Sequence, residues 1–184
     1  ALYQNATYPN MKTGEKYYIA PRMFLFYPPI KIREKVQTVF ISFGGADPQN
    51  YTQRLVNIIT KKEYRDIQFL IAIGRAYADA EIIMKYNQYK NIDTYYDVKN
   101  MPELMSKCDI AVTSRGRTGY ELALLGIPTI SIAQNEREEK HGFVSAEHGF
   151  LYLGLNPGDM FIESSLNIYL KMNAADRQKL QKKL

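Results

Sequence analysis

Between Asp109 and Ala133 the chain reads DIAVTSRGRTGYELALLGIPTISIA, and this stretch constrains the fold more than any other. Ile110, Ala111 and Val112 form the short apolar run of a buried strand. The chain turns through Ser114-Arg115-Gly116-Arg117 and continues as a helical pattern, Tyr120-Glu121-Leu122-Ala123-Leu124-Leu125. Gly126 ends that helix, Pro128 restarts the chain, and Thr129-Ile130-Ser131-Ile132 reads as a second buried strand. A strand–loop–helix–strand unit of this kind belongs to a parallel α/β sheet, whose ligands bind at the carboxyl ends of the strands. Two arginines and a glycine ahead of a helix describe an anion site, because free N–H groups and the helix dipole point the same way.

The same alternation runs through the rest of the chain. Thr38 to Phe43 is a β-branched and aromatic run, and Gly44-Gly45-Ala46 turns it. Asp47 is placed as a helix N-cap with Pro48 at the first helical position, and Tyr51, Leu55, Ile58 and Ile59 share the following helix face. Ile67 to Ile73 is a strand ended by Gly74, and a helix is expected from about Tyr77 to Tyr86. Ile92 to Tyr96 is a third strand, and Asn100-Met101-Pro102-Glu103 opens a further helix. Beyond the central unit, a polar loop from Gln134 to His141 leads into a helix, and Phe150 to Leu153 is the last strand. Asn156-Pro157-Gly158 breaks the chain before two terminal helices. The pattern predicts an α/β fold: a doubly wound, Rossmann-like parallel sheet of about six strands with helices on both faces. This domain spans 37–184. Residues 1–36, rich in tyrosine and proline, read as an extended arm or inter-domain crossover whose aromatics pack on a neighbour, with a short strand at Tyr17-Tyr18-Ile19-Ala20.

Composition removes several classes of function. The net charge is +5, and the last helix supplies three of it through Arg177, Lys179, Lys182 and Lys183 against Asp176. That reads as a solvated face rather than a nucleic-acid groove. The single cysteine, Cys108, excludes an internal disulfide and fits a reducing compartment. No apolar run is long enough to span a bilayer and no signal peptide is visible, so the expectation is a cytoplasmic protein without a transmembrane segment. The chain starts without methionine and stops within a helical pattern, as expected of a piece of a longer protein.

Each candidate motif has a plain alternative. Gly44-Gly45 offers backbone N–H groups to a ligand, or is a tight turn facing a second domain; the full G-x-G-x-x-G fingerprint is absent. An Asp47 cap would occupy the donors that a phosphate on the first helix would need. Arg115 and Arg117, in the Ser114–Thr118 loop, either pair with phosphate oxygens or face solvent. Thr118-x-x-Glu121 matches a capping box, which spacing alone favours; a carboxylate one turn into an anion-binding helix also suits ribose hydroxyls. His141 and His148, seven residues apart, would share a helix face, but no ligand set completes a metal site and no cofactor is implied. His141 stands where it could reach a ligand. Cys108 reads as core, and Tyr86, Tyr89, Tyr95 and Tyr96 as packing, with room for a base near Tyr95-Tyr96.

With those residues in view, Met101 to Ala133 resembles the C-terminal half of GT-B-type enzymes, including the N-acetylglucosaminyltransferase that makes lipid II. A closer resemblance is to the UDP-sugar hydrolase of the pseudaminic acid pathway and related spore-coat polysaccharide proteins. It is carried by Phe43-Gly44-Gly45-Ala46-Asp47-Pro48, by the opening Ala1-Leu2-Tyr3 and by Glu121 to Pro128, and covers roughly residues 1–155. The resemblance implies a nucleotide-sugar-binding domain, with UDP as the nucleotide, of an enzyme that hydrolyses or transfers from a UDP-linked amino sugar in surface glycan synthesis. Glu121 would bind ribose, and Arg115, Gly116, Arg117 and Thr118 the diphosphate. Tyr96-Asp97-Val98 with Met101 would hold the uracil edge, and Gln134-Asn135 the sugar. The family's small-residue turn is replaced here by Arg115-Gly116-Arg117-Thr118. The family's N-terminal domain, expected to supply the catalytic base, is missing from this chain, so the fragment should bind without turnover. The alternative is a non-catalytic nucleotide-sugar-binding module fused to a sugar-nucleotide synthetase of the cytidylyltransferase type. A weaker one is a Rossmann-type redox or effector domain.

Overall fold

The computed structural model describes residue 10, residue 12 and residues 14–184. The Ala1-Leu2-Tyr3 opening lies outside the described residues. Six strands form one parallel sheet: β1 (Thr38–Ser42), β2 (Gln68–Ile73), β3 (Ile92–Tyr96), β4 (Ile110–Ser114), β5 (Thr129–Ala133) and β6 (Leu151–Leu155). Their order is β3-β2-β1-β4-β5-β6, the doubly wound arrangement expected from the sequence. The helices are α1 (Tyr51–Ile59), α2 (Ala80–Met84), α3 (Met101–Met105), α4 (Thr118–Leu124), α5 (Glu136–Glu139), α6 (Asp159–Lys171) and α7 (Ala174–Gln181). Among the described residues no helix is long and apolar enough to cross a membrane.

Alternation along each strand divides the core between the two faces. Val39 and Ile41 of β1, with Phe43 just past it, join Ile71, Val112 and Ile132 under α1 and α6, where Leu55, Ile59, Ile162 and Leu166 pack. Phe40 points the other way, to Leu70 and Ala111, to Leu104 of α3 and Leu122 of α4, and to Leu125 just past α4. Both faces of β1, β4 and β5 are buried, which is why these strands read as continuous apolar runs.

Several boundaries depart from the sequence expectations. The expected strand at Tyr17–Ala20 does not form: a 3-10 turn covers Glu15–Tyr17, and Tyr18 stacks on Tyr120 of α4. Pro21 then opens a second 3-10 turn, Arg22–Phe26, whose Phe24 is buried in the core. The first helix begins at Tyr51 rather than Pro48, because Asp47 and Asn50 both adopt left-handed backbone and fold 47–50 into a turn. The expected helix from Tyr77 to Tyr86 shortens to α2 and a 3-10 turn, Lys85–Gln88. The two histidines do not share a helix face, since only the short α5 and a 3-10 turn, Ala146–His148, lie between β5 and β6.

The last helix is not a wholly solvated face either. Arg177 is fully buried and donates to the carbonyls of Met172, Arg33 and Glu34, which ties α7 to the segment leading into β1. Burying a guanidinium is tolerable only with such carbonyl partners.

Candidate functional site

The strand order reverses between β1 and β4, and in doubly wound sheets the carboxyl-end loops at such a point are where ligands bind. On the β1 side, Gly44 sits at φ 75°, a left-handed conformation that glycine adopts without strain. Gly74, at the end of β2, backs this turn so closely that a Cβ there would lie 2.1 Å from the Gly44 carbonyl oxygen. The Gly45 carbonyl in turn accepts from the Ala76 N–H at 2.9 Å. The Asp47 carboxylate is buried and accepts from the N–H groups of Tyr51 at 3.0 Å and Thr52 at 2.7 Å. The donors at the start of α1 are therefore already taken. Burial pushes the Asp47 carboxyl above its ordinary range, against those hydrogen bonds.

On the β4 side the two arginines separate. Arg115 turns toward β6: its Nε donates to the Val144 carbonyl at 2.8 Å, its Nη1 to the Glu139 carbonyl at 2.7 Å, and its guanidinium lies over the Tyr152 ring. The side chain therefore does not simply face solvent; protein groups hold it. Arg117 is exposed, and its charge acts against the rise in the Glu121 pKa. Among the described residues, the N–H groups of Gly116, Arg117 and Thr118 donate to no protein acceptor, while those of Gly119 and Tyr120 turn back to Gly116 and Arg117.

The capping box expected at Thr118-x-x-Glu121 does not form. Thr118 is the first helical residue, Arg117 stands at the cap in helical geometry, and no side chain caps α4. Glu121 therefore lies one position too deep to reach back. Its carboxylate is half-buried beside Tyr18 and Arg117, and burial raises its pKa.

After β5, Gln134 is buried, and its Nε2 reaches across the end of β4 to the Phe43 carbonyl at 2.9 Å. Its Oε1 is buried with no partner among the described residues. Asn135 is exposed and caps α5, accepting from the Glu138 N–H at 3.0 Å. The Tyr96 hydroxyl donates to the Arg75 carbonyl, whereas Val98 and Met101 pack against the core under α3 and α4. His141 lies edge-on to Tyr120 at 5.6 Å, and burial lowers its pKa.

Two residues not singled out from the sequence belong to this region. Tyr18, ahead of β1, stacks on Tyr120 at 4.2 Å, beside the Glu121 carboxylate. Glu138 accepts from the Gln134 N–H at 2.9 Å and abuts the β4–α4 turn. The Asn135-x-x-Glu138 spacing is the legible signal for Glu138: Asn135 forms one half of a capping box, while the Glu138 carboxylate goes to Gln134.

Residues 38–147, more than half of the chain, match the glycosyltransferase family 28 C-terminal domain, and the chain belongs to that family. The six-stranded sheet is the Rossmann-like C-terminal domain of the GT-B fold. The chain is similar to MJ1062, an uncharacterized protein of Methanocaldococcus jannaschii, with 29% identity over 159 residues that cover 74% of this chain and 32% of that protein. It is also similar to SpsG of Bacillus subtilis, a spore coat polysaccharide biosynthesis protein, with 23% identity over 140 residues covering 73% of this chain and 40% of SpsG. The chain thus spans well under half the length of these relatives. A solved structure of an S. aureus TarM variant with UDP, alpha-GlcNAc-glycerol and Fondaparinux shares the fold, with a TM-score of 0.60 at 12% identity; the match covers 85% of this chain and 33% of TarM.

Proposed function

We propose that this chain is the UDP-sugar-binding domain of an enzyme that hydrolyses, or transfers from, a UDP-linked amino sugar in surface glycan synthesis of the pseudaminic or nonulosonic acid type. One observation carries the proposal. At the point where the strand order reverses, the β4–α4 turn presents three N–H groups that have no acceptor among the described residues, with the exposed Arg117 and, one turn on, the half-buried Glu121. Donors and a cation suit a diphosphate, and a carboxylate one turn further suits the hydroxyls of the attached ribose. The TarM structure, which contains UDP, supports the choice of nucleotide, and similarity to SpsG supports the glycan setting.

In this reading Gln134 and Asn135 face the sugar, and Val98 and Met101 border the uracil with the backbone at Tyr96. Gly44 and Gly45 form the opposite wall. Arg117 and the turn's N–H groups stabilise the UDP leaving group as its charge develops. Arg115 holds the turn in shape through its side chain. The base that activates water or an acceptor comes from a second domain, to which residues 1–36 form the crossover. The matched relatives extend well beyond the shared region, which also leaves room for the second reading, a binding module fused to a sugar-nucleotide synthetase.

Calorimetric titration with UDP, CDP, GDP and ADP tests the proposal. UDP should bind selectively, and Glu121→Ala should weaken it roughly tenfold or more, the range for a charged hydrogen bond. Equal binding of all four nucleotides, or UDP binding indifferent to Glu121, would refute it.

A further inference from the structure

The carboxylate of Glu138 lies between the end of β5 and the turn after β4. Its Oε2 accepts from the Gln134 N–H at 2.9 Å, at the end of β5. Its Oε1 lies 3.6 Å from where a Cβ on Gly116 would stand, so the carboxylate is in contact with the turn after β4. Burial pushes its pKa up. Of the two guanidiniums on that turn, Arg115 is committed to the carbonyls of Val144 and Glu139, and Arg117 is exposed. Arg137 lies on the same helix but is exposed. The result is a negative charge fixed against the turn proposed to receive a diphosphate.

Such a charge distinguishes two forms of the same nucleotide. In a UDP-sugar each phosphate is a diester with one negative charge. In free UDP the terminal phosphate is a monoester whose second proton leaves near pH 6, so it carries about one charge more at pH 8. We propose that Glu138 is a specificity-determining residue of this site, disfavouring the free terminal phosphate and thereby favouring the sugar-bearing nucleotide and release of UDP. The inference rests on the UDP-sugar reading above and adds the residue that tells substrate from product. One extra charge a few ångströms from a half-buried carboxylate amounts to roughly a tenfold change in affinity.

The test compares UDP with UDP-N-acetylglucosamine by calorimetry at pH 8 on the wild-type chain, Glu138→Gln and Glu136→Gln. Glutamine keeps an acceptor for the Gln134 N–H and removes the charge. Glu136, exposed on the same short helix, controls for net charge. Glu138→Gln should tighten UDP about tenfold while UDP-N-acetylglucosamine changes less than about threefold, and Glu136→Gln should leave the ratio unchanged. A merely structural role for Glu138 would move both ligands together, and that result overturns the inference, as does an unchanged ratio. Absence of binding by either nucleotide to the wild-type chain refutes the proposed function itself, and this inference falls with it.

Discussion

The guanidinium carbon of Arg115 lies 3.8 Å from the centroid of the Tyr152 ring, joining the turn after β4 to a strand two positions away in the sheet. With its two bonds to the carbonyls of Glu139 and Val144, this contact clamps the loops after β4 and β5 into one unit. Arg115→Ala should therefore cost about 2 kcal/mol of stability by urea denaturation, because two charge-assisted hydrogen bonds and a cation–π contact are lost together. Lysine should not restore it, since one ammonium cannot reproduce the planar fork over the ring. Arg117→Ala, at an exposed position, should change stability by less than about 0.5 kcal/mol while weakening UDP. Equal stability losses for the two variants would refute the division of roles.

Gly74 is a position where side-chain volume and backbone collide. A Cβ would meet the Gly44 carbonyl oxygen at 2.1 Å and the Cα and oxygen of Gly45 at 2.5 Å, all backbone atoms that cannot rotate away. Gly74→Ala should cost about 1–3 kcal/mol, the range for overpacking. Gly45→Ala meets nothing within 4 Å and should leave the melting temperature within a few degrees of wild type. If a ligand approaches the Gly45 backbone closely, that same variant should lose UDP affinity, which calorimetry would detect.

The sheet was legible because parallel strands buried on both faces leave uninterrupted apolar runs, as at Thr38–Phe43 and Ile110–Val112. The place of the candidate site was legible for the same reason, since it follows from strand order and the loops after β1 and β4. Side-chain roles were less so. Arg115 finds its partners 24 and 29 residues away at backbone carbonyls, which leave no trace in residue type. At Asp47-Pro48 the cap signal was genuine and the carboxylate does serve α1, but left-handed Asn50 delays the helix to Tyr51. At Thr118-x-x-Glu121 the spacing misled by one residue, because the helix already includes Thr118.

Cys108 should be inert while the protein is folded. It is buried, its thiol faces the Leu104 carbonyl at 3.7 Å, and burial pushes its pKa far up. The thiolate is the reactive form, so labelling by a thiol reagent at pH 8 should proceed only through opening of the structure and accelerate with urea. Rapid labelling of the native chain would contradict this packing.

Glu121 should make the protein less stable than it could be, in a pH-dependent manner. Burial raises its folded pKa above the ordinary 4.5, with Arg117 only partly opposing. A carboxyl raised on folding favours the folded state fully below its unfolded pKa, and this contribution is lost as pH rises through the folded value. Glu121→Gln has no such titration. The variant should therefore gain stability relative to wild type as pH increases from about 4.5, and the difference should level off once the folded carboxyl is ionised. Urea unfolding of both proteins from pH 4 to pH 8 measures it. A difference that shrinks with pH would mean that Glu121 is stabilised as the anion in the folded chain, as a capping or ion-pair role requires. Growth of the difference, together with loss of UDP affinity in the same variant, would mark a charge kept at a cost in stability for ligand binding.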